Sequence, residues 1–472
     1  MSIDRHELFV GGALAPAHSR ARIALTNPAA EEPLGSVPDG DESDVDRAVA
    51  AARAAFPEWR STPPGQRALF LRALADAYER RQEEIASLVT SENGSVISRS
   101  RWSSGARPVA VYRKSAALAE AFEEETLIEA ASSRSLVRRE PIGVVGAIVP
   151  WNAPQSLLAR KLALSLVAGC PVVVKPSPET SLDAYLLAEA VVEAGLPPGV
   201  VNIVTGGRET GAALVRHPGV DKISFTGSTA AGRAIAATCG ELLKPVTAEL
   251  GGKSAAIVAD DADLALFASS LISTCLPNSG QVCYASTRVL APRSRFHEVV
   301  EVVVETLRRA RVGNPMDPNT DFGPLVSAAQ RDRVEGYIRS GLAEGARLAL
   351  GGGRPPELPA GYYVQPTVFV DVTNTMRIFR EEIFGPVLVV VPYLDEDDAV
   401  RVANDSNYGL GGSVFSADAQ RATQIARRLE TGSVTINGQR RVDDVLPFGY
   451  KDSGVGGDPG LSAYQQVKVI SS

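Results

Sequence analysis

The stretch GVVGAIVPWN (residues 143–152) is a short apolar run that ends in proline, tryptophan and asparagine. An apolar run without polar alternation is typical of a strand that is buried on both faces. A second such run, PVVVK (171–175), follows a predicted helix over residues 156–168. The alternation continues with helices predicted at 181–194, 209–216 and 229–238 and strands predicted at 200–204 and 221–225. This pattern predicts a parallel, doubly wound α/β sheet.

Polar and glycine residues follow the carboxyl ends of the predicted strands. They are Asn152, Lys175, Gly207 and Ser228. In doubly wound sheets, ligands bind beyond the carboxyl ends of the strands. The shared position of these residues therefore predicts a ligand site at one edge of the sheet.

The flanking segments extend the same architecture. Before the sheet, apolar spacing predicts a helix from about residue 43, helices over 65–90 and 98–121, and a strand over 126–136. After it, a second alternating block runs from about residue 254 to 437, and ELGG (249–252) forms a natural boundary between the two blocks. We therefore expect an α/β fold with two doubly wound sheets.

Composition narrows the possible functions. The chain has 472 residues and a net charge of −7, which disfavours a nucleic-acid partner or an anionic membrane surface. Its first residues, MSIDRHELFVGG, do not form a secretion signal, and no apolar run has membrane-spanning length. Four cysteines without a CxxC pair and four scattered histidines predict neither a metal site nor a disulfide framework. A reducing cytoplasm is the expected location.

One cysteine lies at a junction suited to a nucleophile. The segment LPNSGQVCYA (276–285) follows an apolar, predicted helical run over 264–276, and its proline and glycine break that helix before Cys283. A thiol on such a turn can be positioned by the buried elements on either side and still be accessible to a substrate. Most cysteines outside disulfides are small buried hydrophobes, however, and on this segment alone both interpretations stay open.

A phosphate-binding turn is a second candidate site. The GxGxxG fingerprint of dinucleotide binding is missing. In FTGSTAAG (225–232) a predicted strand turns through glycine into a helix, where backbone amides and the Ser228 hydroxyl suit a pyrophosphate. An ordinary strand–helix turn has the same composition. Lys175 is either a donor to a ribose hydroxyl or 2′-phosphate, or a solvated strand end.

Three further side chains could act together with a thiol. The Asn152 amide could stabilise an oxyanion, and Glu249 could be a general base. Glu382 could bind a ribose diol through its carboxylate. Each residue type is also common in loops, where it makes local hydrogen bonds, and composition does not separate these interpretations.

Seven motifs, in a fixed order, resemble those of the NAD(P)-dependent aldehyde dehydrogenase superfamily. The resemblance covers essentially the whole chain. The motifs are PWNAP (150–154), VVKPS (173–177), FTGST (225–229), ELGGKS (249–254), NSGQVC (278–283), EEIFGPV (381–387) and PFG-K-SG-G (447–456).

The resemblance implies a role for each matching residue. Cys283 would be the nucleophile and Glu249 the general base, while Asn152 and the Cys283 backbone N–H would form the oxyanion hole. Lys161 matches a family lysine near the site. The implied cofactor-binding residues are Ile148, Trp151, Lys175, Ser177, Gly207, Gly211, Phe225, Gly227, Ser228, Leu250, Glu382 and Phe384.

The chemistry implied is oxidation of an aldehyde to its carboxylic acid. The thiolate adds to the aldehyde carbon, hydride leaves to a nicotinamide, and a thioester remains for water to hydrolyse. A CoA-acylating enzyme is disfavoured because its relatives generally lack a glutamate at the position of Glu249. A catalytically silent binding protein of the same fold is disfavoured because Asn152, Glu249 and Cys283 are all present. A cysteine hydrolase without a cofactor is disfavoured because no histidine partner is evident.

The cofactor motif departs from the family pattern. Relatives that prefer NAD carry a glutamate three residues after the lysine, whereas this chain has Pro178 there and Glu179 one residue later. Losing that carboxylate would remove its repulsion of a 2′-phosphate, so NADP stays possible. We expect NAD because no arginine lies nearby in the sequence to attract the phosphate.

The substrate pocket departs from the pattern as well. Arg160 replaces a tryptophan of many relatives; succinate-semialdehyde dehydrogenases share this arginine but carry a second one where this chain has Pro277. A semialdehyde with a carboxylate is therefore the alternative substrate, and a surface salt bridge is the alternative role for Arg160. The other expected pocket residues are Leu157, Val282, Tyr284 and Phe448. Together they favour a hydrophobic or aromatic aldehyde.

The resemblance also implies an assembly and a division of the chain. The C-terminal PFGYK motif is one glycine shorter than the family's, which could reshape the substrate entrance or an oligomer contact. We expect a homodimer or homotetramer built through a small β arm. The predicted units are a dinucleotide-binding domain (1–118 and 139–250), a catalytic domain (251–445) and an oligomerisation segment (119–138 and 446–472).

Overall fold

The computed structural model describes residues 3–130, 133–438, 449–457 and 460–471. Its helices are α1 Glu42–Ser61, α2 Pro64–Glu79, α3 Gln82–Asn93, α4 Ile97–Ser100, α5 Arg107–Glu120, α6 Pro154–Ala168, α7 Asp183–Glu193, α8 Arg208–Arg216, α9 Thr229–Glu241, α10 Leu264–Cys275, α11 Phe296–Arg309, α12 Ala328–Ala343, α13 Arg377–Arg380, α14 Glu396–Asn404 and α15 Ala419–Arg427. A π-helical segment spans Arg101–Ala106, and 3₁₀ turns span Arg293–Arg295 and Leu461–Tyr464.

The strands alternate with these helices along most of the chain. They are β1 Ile3–Asp4, β2 Glu7–Val10, β3 Ala13–Pro16, β4 Arg22–Asn27, β5 Glu32–Pro38, β6 Glu125–Ala130, β7 Ser133–Pro141, β8 Val145–Ile148, β9 Val172–Lys175, β10 Val201–Ile203, β11 Lys222–Thr226, β12 Val246–Glu249, β13 Ala255–Val258, β14 Arg288–Pro292, β15 Arg347–Leu350, β16 Thr367–Val370, β17 Val387–Tyr393, β18 Tyr408–Gly409, β19 Gly411–Phe415, β20 Ser433–Ile436, β21 Tyr450–Lys451, β22 Gly454–Val455 and β23 Gln465–Ser471.

The first large sheet has the order β22-β12-β11-β8-β9-β10-β2-β3. Its five central strands, β12 to β10, run parallel, and their side chains are almost all buried because helices cover both faces. The chain passes from β8 to β9 and β10 on one side, then returns to β11 and β12 on the other. The strand order therefore reverses between β8 and β11, and a crevice at such a point is where doubly wound folds bind ligands.

The second large sheet has the order β15-β16-β17-β14-β13-β19-β20, in which all neighbours are parallel except β15 and β16. A separate sheet of β23, β7 and β6 is antiparallel. Two doubly wound sheets plus a small β arm confirm the predicted fold class. The predicted domain bounds stay a prediction, and the structure pairs Gly454–Val455 with β12 of the first sheet.

Helices α6 and α9 both begin at the ligand crevice, and their sequences explain where they begin or end. Helix α6 begins with Pro154, whose missing N–H costs nothing at that position, and it ends at Gly169, whose φ of 88° suits a residue without a Cβ. Helix α9 begins after Ser228, whose hydroxyl accepts a hydrogen bond from the Ala231 N–H at 3.3 Å. These caps fix where the two helices start beneath the crevice.

Three predicted elements differ from the structure. The helix predicted over 65–90 is two helices, α2 and α3, separated at Arg80 and Arg81. The helix predicted over 98–121 contains the π-helical segment. The strand predicted over 126–136 is instead the hairpin of β6 and β7. None of the helices that the structure describes is both long and apolar enough to cross a bilayer.

Candidate active site

Asn152 lies just beyond strand β8 and contacts the loop that carries Cys283. Its Nδ2 donates a hydrogen bond to the Gln281 backbone carbonyl at 2.9 Å. In return, Asn278 Nδ2 donates to the Asn152 backbone carbonyl at 3.3 Å. Both side chains are buried. Hydrogen bonds between residues 126 and 129 positions apart in the chain therefore hold Asn152 against the loop that leads to Cys283.

The loop before Cys283 has an unusual backbone. Asn278, Ser279 and Gly280 have φ values of 53°, 55° and 76°, so three successive residues are left-handed. Such conformations cost free energy in residues other than glycine and persist where the surroundings enforce them. At Gly280 a Cβ would lie only 1.9 Å from the Gly385 carbonyl oxygen, so only glycine fits there. The strain and the close packing fix the approach of the chain to the cysteine.

Cys283 is the most accessible of the four cysteines. It is half-buried, whereas Cys170, Cys239 and Cys275 are buried. Burial raises the pKa of the Cys170 thiol to about 12 and also raises that of Cys275. These thiols are therefore poor nucleophiles at neutral pH, because the thiolate is the reactive form. The accessible cysteine is the one on the Asn152 loop.

Glu249 ends strand β12, and its carboxylate faces helix α6. Its Oε1 lies 3.7 Å from Nη2 of Arg160, and each side chain is 18 % exposed. The loop after β12 also reaches the cysteine, because a Cβ at Gly252 would lie 2.3 Å from the Cys283 carbonyl oxygen. The carboxylate, the arginine and the cysteine loop thus belong to one region. Arg160 forms a partly buried pair rather than the surface salt bridge that the sequence left open.

Lys161 lies beside this pair in the same small cavity. Its Nζ donates to Ser224 Oγ at 3.2 Å, and Ser224 Oγ lies 3.1 Å from the Tyr464 hydroxyl. Burial lowers the pKa of Lys161 to about 8; Glu249 opposes this shift and Arg160 adds to it. The cavity is lined by Leu157, Arg160, Lys161, Leu164, Ser224, Thr226, Thr247, Glu249 and Tyr464.

A groove of about 550 Å³ opens beyond the carboxyl ends of the parallel strands. It lies between helices α8 and α9, and the start of α9 presents backbone amides and the Ser228 hydroxyl. Five of the predicted cofactor residues line it, namely Ile148, Lys175, Gly207, Gly211 and Ser228. The groove fits a dinucleotide. The first turn of α9 offers backbone amides, the glycines leave room for a ligand, and the buried lysine adds a positive charge.

Glu179 supplies a carboxylate close to Lys175, which lines the groove. It accepts a hydrogen bond from Ser177 Oγ. Burial lowers the pKa of Lys175 to about 8, and Glu179 opposes that shift, so the two charges are close. Arg208 also lines the groove. The sequence shows no arginine near Lys175, but helix α8 brings two to the groove, Arg208 and Arg216, of which Arg208 lies 33 residues further along the chain.

Several other predicted cofactor residues pack against one another or against helix α9. The rings of Trp151 and Phe384 meet edge to face, with centroids 5.3 Å apart. A Cβ at Gly232 would lie 2.3 Å from the Leu250 side chain, so α9 packs directly against Leu250. A Cβ at Gly227 would lie 2.4 Å from the Phe225 ring.

Glu382 connects the second sheet to the loop after β12. Its Oε1 accepts a hydrogen bond from the Gly252 N–H at 3.0 Å, and burial raises the pKa of Glu382 to about 7. Its carboxylate therefore contacts the backbone between the predicted base and the cysteine loop.

The predicted substrate residues occupy different surroundings. Leu157 lines the cavity of Glu249, and Val282 is buried next to the cysteine. Tyr284 is half-buried, and its Cβ would lie 3.5 Å from a Cβ placed on Gly411. Residues 439–448, which include Phe448 and the start of the PFGYK motif, lie outside the described residues.

Two residues contribute to the site although the sequence analysis did not predict them, Gln281 and Tyr464. Gln281 holds the loop twice, since its Oε1 accepts from the Val326 N–H at 3.0 Å and its Nε2 donates to the Asn278 carbonyl at 3.2 Å. Tyr464 reaches the cavity from the C-terminal segment. Gln281 lies within a matching motif and could have been singled out, whereas nothing in the local sequence of Tyr464 indicates its position.

The fold and site define a class of protein: a doubly wound α/β chain with an accessible cysteine on a buried loop and a groove that fits a dinucleotide. The model of the aldehyde dehydrogenase family matches residues 15–470. A geranial dehydrogenase of Castellaniella defragrans is 50 % identical over 477 residues, covering 100 % of this chain and 99 % of the relative. A 3-succinoylsemialdehyde-pyridine dehydrogenase of Pseudomonas sp is 41 % identical, covering 99 % and 98 %.

Two solved structures share the architecture. A Mycobacterium tuberculosis aldehyde dehydrogenase complexed with NAD+ has a TM-score of 0.96 and 43 % identity, covering 100 % of this chain and 98 % of that one. A cysteine-to-alanine variant of aldehyde dehydrogenase C from Pseudomonas syringae, in complex with NAD+ and octanal, has a TM-score of 0.95 and 40 % identity, covering 98 % and 96 %. The chain belongs to the aldehyde dehydrogenase family, and the predicted family and enzyme class are confirmed.

Proposed function

We propose that this protein oxidises an apolar aldehyde to its carboxylic acid with NAD as the hydride acceptor. The observation that carries the proposal is the hydrogen bond from Asn152 to the loop of Cys283, at the edge where the groove opens. This contact supports a site in which the Cys283 thiol would be the nucleophile and the Asn152 amide the oxyanion donor. The family membership supports the reaction class.

Cys283 would act as the nucleophile. Its sulfur attacks the aldehyde carbon, and a carbon–sulfur bond forms while the carbonyl oxygen gains negative charge. An amide nitrogen has two hydrogens; Asn152 gives one to the Gln281 carbonyl, and the second is then directed at the oxyanion. Because the first hydrogen bond fixes the amide, it needs no reorganisation during the reaction.

Glu249 would act as the general base in the second half of the reaction. It takes a proton from water as the water oxygen attacks the thioester carbon. The carbon–sulfur bond then breaks, and the acid is released. Arg160 lies 3.7 Å from this carboxylate, and Lys161 lines the same cavity.

The groove residues would hold the dinucleotide. Bound NAD supplies the hydride acceptor for the first half of the reaction. The start of helix α9 would bind the pyrophosphate, and Lys175, Ser177 and Glu179 would surround the adenosine ribose. Trp151 and Phe384 would exclude water between the groove and the cysteine.

An apolar substrate is favoured over one that carries a carboxylate. Arg160 is paired with Glu249 of its own chain, so its charge is already compensated. A relative named geranial dehydrogenase and a solved structure of a relative in complex with octanal point the same way. Succinate semialdehyde represents the alternative substrate class, an aldehyde that carries a carboxylate.

Absorbance of reduced nicotinamide tests the proposal directly. Purified protein is mixed with NAD or NADP and with geranial, octanal, benzaldehyde or succinate semialdehyde. We expect the highest kcat/KM with NAD and an apolar aldehyde. A preference for succinate semialdehyde would contradict the substrate proposal, and no reduction with any aldehyde would contradict the reaction.

The assembly and location are part of the proposal. The sheet of β23, β7 and β6 exposes Leu127, Ile128, Val467, Val469 and Ile470. An apolar surface of this kind favours contact with a second copy of the chain, so we infer a homodimer or homotetramer. A reducing cytoplasm would keep Cys283 a thiol. Light scattering on the purified protein tests the oligomeric state.

A further inference from the structure

Neither the matching motifs nor an apolar substrate explains why Arg160 lies beside Glu249. Within the described residues, Glu249 is the carboxylate that pairs with it, at 3.7 Å. Both side chains are mostly buried, so the interaction is less screened than a surface pair. A partly buried arginine next to the general base can change how that base works.

The local sequence places Arg160 and Lys161 on one face of helix α6. Leu157, Arg160, Lys161 and Leu164 have the i, i+3, i+4, i+7 spacing of a single helix face, and all four line the cavity of Glu249. Two apolar residues thus flank two cations. The carboxylate enters this face from strand β12, and Tyr464 covers it from the C-terminal segment.

The two cations differ in what else they contact. Lys161 Nζ donates to Ser224 Oγ, which draws the ammonium toward strand β11. Arg160 pairs with the carboxylate itself. A guanidinium is planar and rigid compared with an ammonium, and it restricts the orientation of the carboxylate that it binds. Within the described residues, Arg160 thus forms the ion pair with Glu249, while the hydrogen bond of Lys161 goes to Ser224.

We infer that Arg160 is a positioning residue that orients the Glu249 carboxylate for hydrolysis of the thioester. It does not bind the substrate's own carboxylate. This inference rests on the proposed function, in which Glu249 activates water. Without Arg160, the carboxylate would turn toward Lys161 and leave the position from which it takes the proton of water.

The inference predicts a selective defect. Attack by Cys283 and loss of hydride precede any role of Glu249 as the base for water, so they should not depend on Arg160. Hydrolysis of the acyl-enzyme should slow by about tenfold, because small misplacements of a catalytic group are costly. The kcat/KM for an apolar aldehyde should stay unchanged, because it reports only the steps up to acyl-enzyme formation and Arg160 does not contact this substrate.

An ester assay without cofactor isolates the step. The Cys283 sulfur attacks p-nitrophenyl acetate, a carbon–sulfur bond forms, the carbon–oxygen bond breaks and nitrophenolate leaves. Water then attacks the acetyl thioester, Glu249 takes the proton, and acetate is released. The rapid phase of nitrophenolate release reports acylation, and the slow phase reports hydrolysis.

The variants are Arg160→Gln, Arg160→Lys and, as a matched control, Arg347→Gln, which removes an exposed arginine paired with Asp371 at 2.7 Å. We expect Arg160→Gln to keep the rapid phase and to slow the second phase about tenfold. Arg160→Lys should recover part of the loss, because it keeps the charge. The control should match the wild type.

Three results would overturn the inference. Equal loss of both phases in Arg160→Gln, at an unchanged melting temperature, would show a general effect on the site. An unchanged second phase would show no role in hydrolysis. A raised KM for succinate semialdehyde alone would show that Arg160 binds substrate. If the wild-type chain itself reduces no NAD with any aldehyde, the proposed function fails first and is distinguished from these outcomes.

Discussion

The Nδ2 of Asn152 donates a hydrogen bond to the backbone carbonyl of Gln281 at 2.9 Å, across 129 positions of sequence. This contact joins the carboxyl end of the first sheet to the cysteine loop that leads into the second. It also fixes the amide, whose second hydrogen would, in the proposed function, be donated to the developing oxyanion. The catalytic proposal depends on this contact more than on any other.

Removal of the amide should therefore reduce the first chemical step. In Asn152→Ala we expect hydride transfer to fall by about 10²–10³-fold, the usual effect of losing one oxyanion donor. Single-turnover formation of reduced nicotinamide, with saturating aldehyde, measures that step. Asn319→Ala, at an exposed asparagine, is the control. A loss of less than a few-fold would show that Asn152 only holds the loop.

Removal of the base should affect the second step instead. In Glu249→Gln the glutamine cannot take a proton from water, so the thioester should accumulate. We expect one equivalent of reduced nicotinamide in a rapid burst, followed by steady turnover lowered at least 10²-fold. Stopped-flow absorbance separates the two phases, and Glu301→Gln, an exposed residue, is the control. Loss of the burst itself would contradict the base assignment.

Cofactor choice should depend on Glu179. Its carboxylate lies close to Lys175 and accepts from Ser177, so it would repel a 2′-phosphate while accepting from a ribose hydroxyl. We expect Glu179→Gln to raise the ratio of kcat/KM for NADP to that for NAD by about tenfold or more, the value of one lost charge contact. Arg208→Gln should lower NADP use in that background. An unchanged ratio in Glu179→Gln would contradict this role.

A buried lysine outside the catalytic steps predicts a pH dependence of stability. Burial lowers the pKa of Lys253 to about 7, Arg288 lowers it further, and Glu382 opposes the shift. Below pH 7 both the folded and unfolded chains hold this proton, so the cost of the buried charge is constant. Between pH 7 and about 10 the unfolded chain holds more protons, so this residue makes the free energy of unfolding rise with pH.

Lys253→Met should remove that rise. Its free energy of unfolding should increase less steeply than the wild type's over this range, by at most ~1.4 kcal/mol per pH unit. Urea titrations at pH 7, 8 and 9 measure the slope. Lys468→Met, at an exposed lysine paired with Glu140, should leave the slope unchanged. Identical slopes for Lys253→Met and the wild type would show that Lys253 stays protonated in the folded chain over this pH range, which would contradict its lowered pKa.

The sequence predicted the parts of the fold that depend on local pattern. Strands such as β8 and β9 are apolar on every face, and the helices between them have clear caps, so the alternation alone indicated the parallel sheet. The break between α2 and α3 has no glycine or proline. It is held by Arg80 and Arg81, which both pair with Glu193 of α7, and such a distant contact has no local signal.

The same distinction applies to the site. The motifs indicated Asn152, Glu249 and Cys283, and the contacts among their loops are consistent with that prediction. The pairing of Arg160 with Glu249 depends on how α6 packs against β12, and the approach of Arg208 to the groove depends on α8. Both are properties of packing between elements, which spacing along the chain does not specify.

Mass spectrometry of the trapped intermediate tests whether Cys283 is the nucleophile that carries the acyl group. Glu249→Gln is mixed with NAD and octanal, quenched within seconds in acid, digested and sequenced. We predict one octanoyl group per chain, attached to Cys283, while Cys170, Cys239 and Cys275 stay unmodified. An acyl group on another cysteine, or burst formation of reduced nicotinamide with no acyl group on Cys283, would contradict the account.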